Sequence, residues 1–104
     1  MGLFTMDDAP IVREMRALSG ELSDDETALV RVLTPAGLSG KRLAEHRMEL
    51  LDLLETIRSD EVVADYVYAI APTWDGTIES LLVGARVTTM FAHHQLERLV
   101  RVAA

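Results

Sequence analysis

The side chains best equipped for chemistry in this sequence form two small His/Glu groups. His93, His94 and Glu97 stand three and four positions apart, so a helix sets either histidine on the same side as Glu97. Glu45, His46 and Glu49 repeat the arrangement upstream. Imidazoles and carboxylates on facing helices can hold a metal in a helical bundle. The paired Glu-x-x-His elements of di-iron bundles are missing, however. Only the reversed His-x-x-Glu occurs, at His46–Glu49 and His94–Glu97. A metal held by His93, His94 and Glu97 is an expectation that ranks behind a plain polar surface.

Other chemistries fail on spacing. Ser39-Gly40-Lys41 resembles the end of a phosphate-binding loop, but Pro35 stands where its first Gly belongs and Arg42 where Ser or Thr belongs. No dinucleotide-type glycine pattern appears, so no cofactor is expected. The serines at 19, 23, 39 and 59 read as helix boundaries, and none sits in a nucleophile elbow. Asp24-Asp25 and Asp60-Glu61 lie at expected helix starts, where the positive dipole end favours the ionised form. A general acid needs the opposite shift. Nothing in these residues argues for an enzyme.

The elements that must position these groups are helices. Asp7 and Asp8 suit a helix start, and a first helix from about Asp8 to Leu18 carries Ile11, Val12, Met15 and Leu18 as its apolar stripe. Ser19-Gly20 breaks it. Ser23 and Glu26 form a capping box that opens a second helix, with Ala28, Leu29, Val32 and Leu33 as the expected buried face. Pro35 and Gly37 end it. A third helix, from about Ser39 to Arg58, presents Leu43, Leu50, Leu51, Leu54 and Ile57, with Ala44 and Met48 beside them. Ser59-Asp60-Glu61 starts a fourth, carrying Val62, Val63, Tyr66, Val67 and Ile70. After the Ala71–Gly76 turn, Asp75 or Thr77 caps a final helix through Ile78, Leu81, Leu82, Ala85, Ala92, Leu96 and Leu99. It runs on to about Val102 or bends near Gly84 or Thr88-Thr89.

The expected fold is therefore all-α, a single small bundle of about five helices over residues 1–104 with a long C-terminal helix. The alternative is an α+β chain with a short two-stranded element, since residues 62–70 and 84–91 are rich in strand-forming types. The total of 104 residues allows one domain. With zero cysteines there is no disulfide framework and no thiolate, which suits a reducing cytoplasm. The apolar start from Met1 to Met6 is too short for a signal peptide, and Met6 stands where a myristoylation pattern wants Ser or Thr. No segment is a membrane span.

The net charge of −7 is uneven. Met1 to Asp65 holds fourteen acids and seven bases, whereas Tyr66 to Ala104 holds three of each. Phosphate backbones repel such a surface, so nucleic acid is not an expected partner. That also counts against a helix-turn-helix reading of the second and third helices, whose would-be recognition helix carries Glu45, Glu49, Asp52 and Glu55. Arginine makes up nine of the ten basic residues, the bias of a GC-rich, bacterial-type genome.

The function these features favour is a non-catalytic protein–protein interaction module, an adaptor or regulatory subunit that self-associates as a homodimer. Its expected interface residues are Trp74, in its turn, and Met90, Phe91, Leu96, Leu99 and Val100, in a C-terminal run (with Val87 and Val102) more apolar than one stripe requires. Trp74 either folds back over the core from its turn or stands out as an anchor. A metal-binding protein is the second expectation, and an acidic inhibitor or nucleic-acid mimic the third.

Overall fold

The computed structural model describes residues 10–103, with side chains to Arg101. The chain is all-α: α1 (Pro10–Ser19), α2 (Asp24–Leu33), α3 (Gly40–Ser59), α4 (Glu61–Ile70), a 3-10 turn (Ala71–Thr73) and α5 (Ile78–Ala103). Among the described residues there is no strand, and residues 62–70 and 84–91 are both helical. The two-stranded alternative therefore does not form. Val62, Val63 and Val67 enter a helix because their buried members recur at a helical step, which tertiary packing rewards over strand propensity. The expected start of α1 at Asp8, with Asp7 and Asp8 at its dipole, lies outside the described residues.

Short polar joints set the helix order. Gly20, with φ +83, turns the chain after Ser19, a backbone state that side chains resist. At Ser23 the capping box is complete. The Ser23 N–H donates to Glu26 Oε1 at 2.9 Å, and the Glu26 N–H donates to Ser23 Oγ at 3.1 Å. Asp60 does double duty. Its N–H donates to the Thr56 carbonyl at the end of α3, while its carboxylate accepts from Val62 and Val63 at the start of α4. Ser39 precedes α3 in extended backbone without a side-chain capping bond.

The core gathers Val12, Met15, Leu29, Val30, Leu50, Leu53, Leu54, Val67, Leu81 and Ala85, among others. α3 is its centre, packing against α1, α4 and α5. Three expectations need correction. On α2 the buried face is Glu26, Thr27, Leu29, Val30 and Leu33, so Ala28 and Val32 face solvent. Hydrophobicity cannot choose between Val30 and Val32; the helix's rotation against α1 and the 3-10 turn does, with Glu26 turned toward Arg58. On α3, Leu53 is fully buried and Met48 is 70% exposed, because the inward face lies one step further round. On α1, Leu18 is exposed.

Arg58, near the end of α3, ties three helices together. Its Nε donates to Glu26 Oε2 on α2, and its Nη1 donates to the Ser19 carbonyl closing α1 at 3.2 Å. Arg47 makes a similar link from α3 to Glu14 on α1, with a carboxylate more exposed than that of Glu26. Burial alone raises the Glu26 carboxyl's pKa. The bonds from Arg58 and from Ser23 outweigh that and hold it below its ordinary 4.5.

A carboxylate depressed in the folded state stabilises fully above its unfolded value, and that contribution is lost as pH falls through the folded one. Glu26→Gln keeps a capping-box acceptor but removes the charge. It is expected to cost about 1 kcal/mol at pH 7, a modest figure because Arg58 is largely solvated. In urea unfolding, the gap between variant and parent should close as pH drops below 4.5. A pH-independent gap would show that the charge contributes nothing.

Candidate functional site

α3, α4 and α5 run up, down and up. α4 has ten residues and spans about 15 Å, whereas α5 has twenty-six and spans about 39 Å. The level at which support ends is marked by Arg86 on α5, whose guanidinium reaches Thr56 Oγ1 near the end of α3. Thr89 is the last buried residue of α5, and every side chain from Met90 to Arg101 is exposed. The molecule is correspondingly long, 62 × 27 × 24 Å, with a radius of gyration of 16.3 Å against about 13 Å for a compact chain of this size.

What projects is a continuation of the core. Ile78, Leu82, Ala85, Thr89, Ala92, Leu96 and Leu99 follow one another at strictly alternating steps of four and three. The first four are buried against the bundle; the last three are exposed. Leu96 and Leu99 are 59% and 66% exposed. One apolar seam thus runs the helix, and its second half lies bare. Val100 flanks it. Val102 falls beyond the described side chains.

Met90 and Phe91 do not share that face. At 3.6 residues per turn they lie on the opposite side of α5, in line with Val83 and Val87, all four exposed. The C-terminal cluster expected from the sequence is therefore two stripes, one continuous with the core and one outside it. His93, His94 and Glu97 sit on the projecting half, where they border a shallow hollow beside Met90 and Phe91. A single helix can offer a metal only His93 with Glu97, or His94 with Glu97. Among the described residues no group of three or more His, Cys, Asp or Glu side chains converges.

At the opposite end of the bundle an open cleft of about 580 Å³ lies between the α2–α3 loop and the Trp74–Thr77 segment. Arg42, Glu45, His46, Glu49 and Trp74 line it. His46 Nε2 is 2.9 Å from the Leu33 carbonyl, so this nitrogen carries the proton and donates. Its role there is structural, closing the end of α2. A second cluster of charge, Glu26, Arg58 and Tyr68, joins α2, α3 and α4. Burial first, then the nearby Glu26 and Asp25 charges, raises the pKa of the Tyr68 phenol. This cluster serves the helix joint.

Trp74 folds back and does not join the α5 cluster. Its ring packs against the core, and Nε1 donates to the Thr77 carbonyl at 2.9 Å. Thr77 in turn caps α5 by accepting the Ser80 N–H at 3.0 Å. A Cβ at Gly76 would lie 3.0 Å from Trp74 Cζ2, so glycine makes the space the ring occupies. Along α5 the eighteen positions between Ile78 and Leu96 put about 27 Å between this corner and the bare seam.

Gly76→Ala is expected to displace the ring, red-shift the emission of the single tryptophan and cost about 1 kcal/mol. Unchanged emission would mean that the ring does not rest on Gly76. Among the described residues no helix is long and apolar enough to cross a membrane. Comparisons with family models, curated proteins and solved structures find no match for this chain.

Proposed function

We propose that this chain is a non-catalytic helical interaction module, an adaptor or regulatory subunit whose working surface is the projecting half of α5. The observation that carries this reading is the seam that leaves the core at Thr89 and continues bare through Ala92, Leu96 and Leu99. Exposed apolar surface of this kind costs solubility, and it marks contact sites in soluble proteins. Its pattern is that of a helix packing on a helix, so the partner surface is helical. The acidic body disfavours nucleic acid as that partner. A cysteine-free chain suits the reducing cytoplasm.

A photoreactive side chain at Leu96 is expected to cross-link the protein to a polypeptide in its native cell. The same group at Asp52, exposed on α3, is the control and should label far less. Equal labelling at both positions, or none at Leu96, would contradict the proposal.

A further inference from the structure

We infer that the occupant of the bare seam is a second copy of this chain, packed antiparallel so that Leu96 of each copy meets Leu99 of the other. This rests on the interaction reading above and adds the partner's identity and orientation. In an antiparallel two-stranded coil, the two alternating seam positions face one another across the interface. A twofold axis between Glu97 and Arg98 places Leu96 against Leu99 twice, with the small Ala92 one layer outward. Large side chains then fill the middle of the contact, and small ones let the helices close toward its ends.

Charge selects both partner and direction. The positions flanking the seam hold His93, Gln95 and Val100, with neither a carboxylate nor an arginine among them. Such a border offers nothing to a strongly charged helix and suits one equally neutral, as its own copy is. From Met90 to Arg101 there are one acid and two arginines, whereas residues 10–89 hold fourteen acids and eight bases. The bundle is thus acidic, and its projection is not. Parallel pairing sets two acidic bundles side by side, where salt screens their repulsion least. Antiparallel pairing puts them at opposite ends of an overlap about 20 Å long, where they are largely screened.

The contact is short. Three seam side chains per copy are expected to bury less than the roughly 800 Å² per partner of a standard interface, so a weak, concentration-dependent dimer is expected. The α5 helices are already formed on their bundles, so pairing does not carry the ordering cost that makes free helices of this length marginal.

Sedimentation equilibrium on the full chain, from about 10 μM to 1 mM, should show a monomer passing to a dimer. Leu96→Glu with Leu99→Glu is expected to weaken the dimer at least tenfold while leaving the circular dichroism melt unchanged, since both side chains are exposed. Met90→Ser with Phe91→Ser should keep the dimer. The absence of native cysteine permits a test of direction. A mixture of Leu96→Cys and Leu99→Cys chains should form the mixed disulfide faster than either variant forms its own. A strict monomer, preferred like-with-like disulfides, or loss of the dimer only in the Met90/Phe91 variant would each overturn the inference. A strict monomer that is still cross-linked to a different protein through Leu96 would overturn the self-pairing alone and leave the interaction module standing.

Discussion

A ten-residue helix cannot cover a neighbour of twenty-six. That mismatch governs this molecule. α4 is held short at both ends, by Asp60 capping its start and by the 3-10 turn at Ala71–Thr73 closing it. α3 runs parallel to α5 but stops at Ser59, level with the last support α5 receives. Beyond Thr89 the apolar pattern persists with nothing packed on it among the described residues. Helices in globular proteins draw most of their stability from packing an apolar face, so a long unpaired continuation calls for a partner.

The remainder of the bundle supplies a rigid base for that projection. Arg58 fastens the ends of α1 and α3 and the start of α2 at one point, through Glu26 and the Ser19 carbonyl. At the far end, Trp74 on Gly76 and Thr77 fixes where α5 begins. Polar side chains at both ends serve joints between helices. Of the residues equipped for chemistry, His46 closes α2, Asp60 and Ser23 cap helices, and Glu26 bonds to Arg58.

Local signals were legible and rotations were not. The Ser23/Glu26 box and the Asp60 joint follow from interactions within four residues, so sequence spacing reveals them. Which of Val30 and Val32 turns inward depends on α1 and the 3-10 turn, against which α2 packs, and the two are chemically identical. Leu53 escaped for the same reason, one position from an equally plausible stripe. The seam of α5 was harder to see, because Thr89 and two alanines interrupt its apolar character while keeping its step. Counting apolar residues grouped Met90 and Phe91 with Leu96 and Leu99; only the helical geometry separates them into opposite faces. Trp74 packs where α5 starts, about 27 Å along the helix from Leu96.

Self-pairing predicts that the seam from Ala92 to Leu99 is covered in concentrated protein. Hydrogen exchange across α5, compared between dilute and concentrated protein, tests it most directly. Amides from Ala92 to Val100 should gain protection as concentration rises, while those from Leu81 to Ala85, already packed in the core, stay constant. Exchange over Ala92 to Val100 that is the same at every concentration would contradict self-pairing, and with it the simplest reason for the helix to outrun its bundle.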